Sequence, residues 1–325
     1  MNDAKVRINF AIFEGFMENS YKYTVAGHTF CISLPQGFDK ETYLSPYSPF
    51  EDNDPDSAPT IKLRVETTTT MRDKVNGSVK DIFNDEAPYF WLFEREEMTS
   101  PFEHELAPYF YGFSYTKKRP DCVLLASADY SEAVVYVPEV YAEKLVEFAL
   151  SNAMMLLYTF RTSGTDTLMI HASVTSFEGK GYVFLGKSGT GKSTHSSLWL
   201  KHIEGTELLN DDNPVLRIVD GKVRVYGSPW SGKTPCYKNL EMPLGGIVRL
   251  SQAPYNKIQR LMPLMAYTAL MPSCSCMRWE PQATEALHKA VEKVIMNVPC
   301  WHLECLPDEE AARVCNAAVT GVANI

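Results

Sequence analysis

Alternating polar and apolar positions run through most of the first 138 residues. The segments YKYTVAGHTFCISLP, PTIKLRVETTTT and CVLLASADYSEAVVYV show this period of two and are rich in β-branched residues, a pattern typical of strands. Between the first two, the polar and proline-rich segment SPYSPFEDNDPDSAP predicts a loop. We therefore expect residues 1–138 to form a β-rich N-terminal domain.

A helical period begins where that domain is expected to end. The segment EVYAEKLVEFALSNAMMLLYTF predicts a helix from Glu139 to about Arg161, apolar enough to be buried on more than one side. Two short strands around the turn EGKG follow, and Asp220–Gly221 predicts a hairpin further on. Near the end, ATEALHKAVEKVIMNV is amphipathic, and a last helix should start after an Asp308 N-cap and stop before Gly321. Residues 139–325 are thus predicted to form a second domain, of α/β type.

The segment between the strand GYVFL and the helix STHSSLWLKH has the composition of a phosphate-binding loop. It fits the pattern G-x-x-x-x-G-K-[ST] with the expected strand before it and helix after it, although a turn that only links the two is the simpler alternative. Glycines let consecutive backbone N–H groups converge on an anion, and the helix adds its positive N-terminus. In such a loop Lys192 reaches the β- and γ-phosphates, and Ser193 offers a hydroxyl to Mg²⁺. The predicted nucleotide-binding residues are Gly186, Lys187, Ser188, Gly189, Thr190, Gly191, Lys192, Ser193 and Thr194.

Two aspartates follow the next apolar run, TELLN. In proteins with a phosphate-binding loop, an acidic residue at the end of a neighbouring strand completes the Mg²⁺ site, and a second acid can take the proton of an attacking hydroxyl. Because adjacent strand residues point to opposite sides, the two aspartates should divide these roles unless the strand ends between them, and we assign Asp211 to the metal and Asp212 to the base. The alternative is a solvated turn, since NDDNP is also turn-like.

Composition and charge exclude several classes of protein. Hydrophobic residues make up 45% and charged residues 22%, as in ordinary globular proteins, and a net charge of −9 disfavours a nucleic-acid partner. No apolar run approaches the roughly 20 residues of a membrane helix, and the charged N-terminus does not have the pattern of a signal peptide. The eight cysteines are dispersed, which fits a reducing cytoplasm. We expect a cytoplasmic protein without a membrane partner, and a homo-oligomer is among the assemblies that the sequence allows.

The residues around the loop resemble a known family. The stretch IHASVTSFEGKGYVFLGKSGTGKSTHSSLWL, followed by LLNDDNPVL, is similar to the C-terminal catalytic domain of HPr kinase/phosphorylase in the order of histidine, hairpin, loop, helix and Asp-Asp pair. The likeness covers Leu168 to Leu216 well and extends more loosely to Leu250. It implies an α/β fold, α+β over the whole chain, with a P-loop core like that of HPr kinase and of ATP-type phosphoenolpyruvate carboxykinase, a longer chain with a similar SGTGK loop.

The resemblance implies roles for individual residues. It makes His171, Lys192 and Asp212 catalytic, and the similarity of EMPLGGIVRL to the family's glycine-bearing segment adds Glu241 to Ser193 and Asp211 as a metal ligand. The family phosphorylates a serine of a protein partner with ATP and Mg²⁺. This chain departs from the family at Thr194, where an acidic residue is expected, and at Pro243–Leu244, where an arginine is expected. The N-terminal 138 residues do not resemble that family's N-terminal domain, so the resemblance does not identify the acceptor.

Three functions follow from these patterns. The leading interpretation is an ATP-dependent kinase acting on a hydroxyl of a protein, peptide or small molecule. The alternatives are a nucleotide-binding regulatory module without phosphoryl transfer and a carboxykinase acting on a keto acid. The loop-like segment from Tyr226 to Asn239, with Trp230 and Lys233, is a candidate acceptor region, and residues 1–138 are a candidate recognition domain or a structural cap.

Overall fold

The computed structural model describes residues 19–69, 77–83, 89–95, 107–116, 119–140, 143–232 and 234–321. The chain divides into two compact units, Met1–Arg161 and Thr162–Ile325. Each described unit combines a large sheet with helices, so the fold is mixed α/β, with six α-helices among the described residues. None of these helices is both long enough and apolar enough to cross a lipid bilayer.

The first unit is built on an eight-stranded sheet. Its elements are β1 (Ser20–Val25), β2 (His28–Ser33), α1 (Lys40–Leu44), β3 (Ile61–Thr68), β4 (Gly77–Phe83), β5 (Tyr89–Arg95), β6 (Tyr109–Ser114), β7 (Cys122–Ala126), β8 (Glu132–Pro138) and α2 (Glu143–Arg161). The strand order is β1-β2-β3-β8-β7-β6-β5-β4, and the β2–β3 and β3–β8 pairs are parallel. The strands predicted from the alternating segments are therefore confirmed, while the proline-rich segment between β2 and β3 contains a short 3-10 helix, Ser45–Phe50.

Helix α2 belongs to the first unit, whereas the sequence placed the boundary before it, between residues 138 and 139. The helix packs against β3 and β8, and its apolar side chains, such as Leu150 and Leu157, are buried. It begins at Glu143 and not at Glu139, because the Glu139 N–H still donates to the Thr68 carbonyl and prolongs the strand pairing. The aromatic strand β5 is partly buried, with Trp91 3% and Leu92 1% exposed.

The second unit is built on a nine-stranded sheet. Its elements are β9 (Thr167–Met169), β10 (Ala172–Phe177), β11 (Lys180–Leu185), α3 (Lys192–His202), β12 (Glu207–Asp212), β13 (Val215–Val219), β14 (Lys222–Tyr226), β15 (Glu241–Gln252), β16 (Lys257–Arg260), α4 (Pro263–Leu270), α5 (Pro281–Asn297), β17 (Cys300–Cys305) and α6 (Glu309–Thr320). The main strand order is β12-β10-β11-β15-β14-β13-β9, with β17 beside β15 and β16 beside β17. The predicted hairpin at Asp220–Gly221 is confirmed. The predicted last helix is also confirmed: the Asp308 carboxylate caps its start, and Gly321 ends it in the left-handed conformation.

Strand β11 lies at the centre of this sheet and is covered on both faces. Val183 and Leu185 pack into the core beneath α5, whereas Tyr182 and Phe184 pack into the core shared by α3 and α6. Burial on both faces explains why GYVFL is a continuous apolar run and not an alternating one. The centre of the sheet therefore holds the start of the loop that follows β11 in a fixed position.

Helix α3 is anchored to this sheet by a buried histidine. His195 is 2% exposed, its Nε2 accepts a hydrogen bond from the Trp199 indole N–H at 3.1 Å, and Phe184 meets its ring edge-on. Burial lowers the pKa of His195 to about 4. The imidazole is therefore neutral in the folded chain at neutral pH.

This burial predicts an acid-sensitive contribution to stability. An unfolded histidine has a pKa of about 6.5, so between pH 6.5 and 4 the unfolded chain binds a proton that folded His195 does not. The free energy of unfolding therefore keeps its full value from this residue above pH 6.5 and falls by about 3 kcal/mol as the pH approaches 4. Urea unfolding at several pH values should show this slope in the wild type and a shallower one in His195→Gln, whose amide still accepts from Trp199. An equal slope in both proteins would contradict the assignment.

Candidate functional site

The loop between β11 and α3 has the backbone that its glycines predict. Gly189 and Gly191 adopt φ angles of 77° and 107°, which L-residues with a side chain rarely adopt. A turn closes the loop, with the Thr190 N–H donating to the Lys187 carbonyl at 3.1 Å. Lys187 and Ser188 at its tip are exposed to solvent. The loop is therefore a short, tightly curved connection that presents backbone to solvent.

The loop leads directly into the first turn of α3. Gly191 is the N-cap residue, and no described side chain caps the helix there. The first N–H groups of a helix have no partner within the helix, and they carry a partial positive charge. This end of α3 can thus receive an anion from the side of the loop, and Thr194 lies exposed in the same first turn.

Three strand ends meet beside the loop. Strand β10 pairs antiparallel with β11, Ser173 lying opposite Phe184, and with β12, Ser173 lying opposite Asp211. The start of β10 and the ends of β11 and β12 therefore lie at one edge of the sheet. His171 precedes β10 directly, and Asp212 ends β12. This strand order brings together residues that are 41 positions apart in the sequence, from 171 to 212.

Lys192, His171 and Asp212 form a continuous chain of polar contacts. The Lys192 Nζ lies 2.9 Å from His171 Nε2 and donates to the Gly186 carbonyl at 3.0 Å. The His171 Nδ1 lies 2.9 Å from Asp212 Oδ1. His171 thus contacts both of the other residues predicted to be catalytic.

The donors in this chain fix the proton positions. A lysine ammonium can only donate, so His171 Nε2 accepts from Lys192, and the ring proton is on Nδ1, where it donates to the Asp212 carboxylate. Burial lowers the pKa of Lys192, and the nearby carboxylates of Asp212 and Asp211 oppose that shift. The ammonium therefore sits in a partly dehydrated place where its charge acts strongly on a neighbouring anion.

Ser193, which follows Lys192 in the chain, forms a second contact, with Asp211. The Ser193 hydroxyl donates to Asp211 Oδ1 at 3.0 Å, and Asp211 is 6% exposed. A hydroxyl and a carboxylate oxygen at this separation are the hard ligands that Mg²⁺ prefers, with water and phosphate oxygens completing its octahedron. The residues present therefore fit a magnesium ion. The two aspartates reach different partners, as the alternation along a strand predicts.

The polar residues around the aspartates hold them in place. The Gly232 N–H and the Ser231 hydroxyl donate to the Asp211 carbonyl at 2.6 and 3.2 Å, and the Asn213 amide donates to Asp212 Oδ2 at 2.8 Å. The fully buried Asn210 amide donates to Ser228. Sequence reasoning did not identify these supports, and the only local signal for them is the polar run NDDN at the strand end.

Other predicted site residues lie apart from these contacts. Glu241 begins β15, where it accepts from Arg224 at 2.9 Å and from the Tyr226 hydroxyl, so among the described contacts it does not join Ser193 or Asp211. Trp230 is 2% exposed and packs inside the protein, whereas Lys233 lies outside the described residues. The described residues between Tyr226 and Glu241 form no regular element, as predicted, and Ser231 places its part of the segment against β12.

Comparisons with known proteins find a likeness among solved structures. No protein-family model and no curated protein matches the chain. Among solved structures, the chain is similar to one described as the structure of the Hpr(Ser) kinase/phosphatase from Coxiella burnetii, with 14% sequence identity and a TM-score of 0.29. That match covers 47% of this chain and 94% of the other. A likeness of this size leaves the function to be argued from the residues of the site.

Proposed function

We propose that this protein is an ATP-dependent phosphotransferase that transfers the γ-phosphoryl group to a hydroxyl, of the serine type, on a protein, peptide or small-molecule acceptor. The observation that supports this best is the chain of contacts from Lys192 through His171 to Asp212, which starts at the helix N-terminus behind a glycine-rich loop. The sequence pattern of that loop, G-x-x-x-x-G-K-S, supports the same proposal.

The loop and α3 hold the triphosphate. Backbone N–H groups of the loop and of the first turn of α3 bind phosphate oxygens, and Lys192 turns from the Gly186 carbonyl towards the β- and γ-phosphates. Ser193 and Asp211 would hold Mg²⁺, which would neutralise phosphate charge when bound. The donors from Ser231 and Gly232 fix the backbone of Asp211, and the Ser193 hydroxyl already donates to its carboxylate, so the carboxylate needs little reorganisation.

Asp212 accepts the proton of the acceptor. The acceptor oxygen forms a bond to the γ-phosphorus, the bond from that phosphorus to the β–γ bridging oxygen breaks, and the hydroxyl proton passes to the Asp212 carboxylate. The His171 Nδ1–H and the Asn213 amide hold the two carboxylate oxygens, and the aspartate remains 35% exposed, so an acceptor can reach it. His171 orients the base and lies beside the transferred group.

A module that only binds nucleotide does not require this arrangement. Holding Mg·ATP needs the loop, the helix end, Lys192 and the metal ligands, but neither a second carboxylate nor a histidine behind them. The contact between His171 and Asp212 therefore favours transfer over binding alone. Ser231, in the irregular residues 227–232, touches the backbone of Asp211, and this segment is the part of the unit proposed to meet the acceptor.

Labelling with γ-³²P-ATP tests the proposal. The purified protein is incubated with labelled ATP, Mg²⁺ and cell extract, and the labelled products are identified by mass spectrometry. We expect an acceptor that is labelled by the wild type and not by Asp212→Asn. An extract in which wild type and variant give the same labelling, or none, would contradict phosphoryl transfer by this chain.

The two units are proposed to divide binding from recognition. The glycine-rich loop, His171 and the two aspartates all belong to the second unit, Thr162–Ile325. We therefore expect a truncated chain that starts at Thr162 to bind Mg·ATP with unchanged affinity and to lose acceptor phosphorylation. Calorimetric titration of ATP and the labelling assay measure the two properties separately. A folded truncated chain with much weaker ATP binding would mean that the first unit helps to build the nucleotide site, and full activity would make that unit a structural cap.

A further inference from the structure

A cleft lies beside the loop, against the first turns of α3. It has a volume of about 730 Å³, which is within the range of small-molecule sites. Its walls are the glycine-rich loop, one face of α3, the end of β15 and the turn after β17. The lining residues that carry the argument are Thr194, Leu198, Leu250, Ala253, Leu306 and Pro307.

The cleft and the cluster of catalytic contacts lie on opposite sides of the loop. The strand order β12-β10-β11-β15, with β17 beyond, places His171 and the aspartates on one side of β11 and the ends of β15 and β17 on the other. Neighbouring strands are about 4.8 Å apart, so the two regions are separated by a distance that a chain of phosphates can span. A triphosphate whose γ end lies at Lys192 and His171 therefore directs its other end towards the cleft.

The lining of the cleft suits an uncharged ring. Among the described lining residues none is an aspartate, glutamate, lysine or arginine, and His195 is neutral because burial lowers its pKa to about 4. Leu198, Leu250 and Leu306 offer aliphatic surface, and Leu306 is 38% exposed. Burying a charged acceptor group here without a partner would be costly, whereas a flat heterocycle between aliphatic side chains gains hydrophobic contact.

One polar side chain joins the cleft to the loop. Gln252, at the end of β15, donates from Nε2 to the Gly189 carbonyl at 3.3 Å. A carboxamide carries both donors and an acceptor, so it can also meet the polar edge of a ring in the cleft. The contact links the wall of the cleft to the loop that holds the phosphates.

We propose that this cleft binds the nucleoside of ATP, with the base between the aliphatic side chains and the ribose towards the loop. The inference rests on the proposed function, because it requires the phosphates to lie on the glycine-rich loop. It predicts that the acceptor does not enter the cleft and approaches Asp212 from the opposite side of β11. Base recognition and phosphoryl transfer thus use separate walls of one site.

The substitution Ala253→Trp tests this placement by filling the cleft. Calorimetry on the full chain measures the affinities of Mg·ATP and of Mg·tripolyphosphate, which has phosphates but no nucleoside. We expect the variant to bind ATP at least about tenfold more weakly, a change of roughly 1.4 kcal/mol, and to keep its affinity for tripolyphosphate within about twofold. Leu264→Trp, which adds the same bulk at a 75% exposed position of α4, is the matched control and should change neither affinity.

A second variant guards against misfolding of the first. Leu306→Ala removes an exposed aliphatic side chain from the cleft, and we expect it to weaken ATP binding about threefold to tenfold without changing tripolyphosphate binding. Unchanged ATP affinity in both variants would overturn the inference. Equal affinities of the wild type for ATP and tripolyphosphate would also overturn the inference, but they would leave the proposed phosphate site standing. A wild type that binds neither ligand would instead overturn the proposed function itself.

Discussion

Replacing Lys192 with alanine is expected to lower phosphoryl transfer by at least about 10²-fold while the chain still folds. The ammonium lies at the first turn of α3, in contact with His171, and its charge is partly dehydrated. Charge develops on the oxygens around the γ-phosphorus during transfer, and a fixed donor in such a place is worth roughly 3–4 kcal/mol of transition-state stabilisation. Single-turnover labelling of the acceptor measures the loss.

The matched control for this variant lies on the same helix. Lys201→Ala removes the same charge from an exposed position in the last turn of α3, and it should keep wild-type turnover. Lys192→Ala also leaves the Gly186 carbonyl and His171 Nε2 without their present donor, so thermal unfolding should be measured in parallel, with an expected cost of about 1–3 kcal/mol. Wild-type turnover in folded Lys192→Ala would refute the role of the loop.

The elements around the loop could be predicted from the sequence because their signals are local. The apolar run of β11, the glycines of the loop and the helix that follows are contiguous, and each residue type has its own backbone preference. The same holds for the Asp308 cap and for Gly321. A prediction from local pattern succeeds where the residues that make the structure are neighbours in the chain.

The contacts of the site follow from the order of the strands in the sheet, and local sequence patterns do not reveal that order. That His171 lies between Lys192 and Asp212 follows from β10 pairing with both β11 and β12. Without the family resemblance, a histidine after the apolar run LMI would have been no candidate. The support from Ser231 and Gly232 comes from an irregular loop about 20 residues beyond Asp211, and irregular loops leave no periodic pattern.

The domain boundary shows the same limit. The periodicity of α2 correctly predicts a helix with much buried surface, but a helical pattern says which face is buried and not which sheet covers it. Its packing on β3 and β8 assigns it to the first unit. Glu241 was expected near the metal by similarity of its segment, and its position opposite Tyr226 in the β14–β15 pair gives it Arg224 as a partner.

The second large effect is expected from separate substitutions of the two aspartates. Asp212→Asn should lower the turnover number by roughly 10²–10⁴-fold and change ATP affinity little. Asparagine has the shape of the aspartate it replaces and keeps an oxygen that accepts from His171 Nδ1, so the change removes the base and preserves the contact with His171. Asp211→Asn should instead weaken Mg·ATP binding by about tenfold or more, because the metal loses a charged ligand beside Ser193.

Titration of ATP with and without Mg²⁺, together with single-turnover labelling, separates these effects. The difference between the two titrations should shrink in Asp211→Asn and persist in Asp212→Asn, since only Asp211 shares a contact with the Ser193 hydroxyl. Asp220→Asn, at the exposed turn of the β13–β14 hairpin, removes the same charge and should match the wild type in both assays. A reversed pattern would mean that Asp211 is the base and Asp212 the metal ligand. Wild-type behaviour of both variants would mean that NDDNP is only a turn, because a charge that assists neither binding nor transfer has no part in the chemistry of the site.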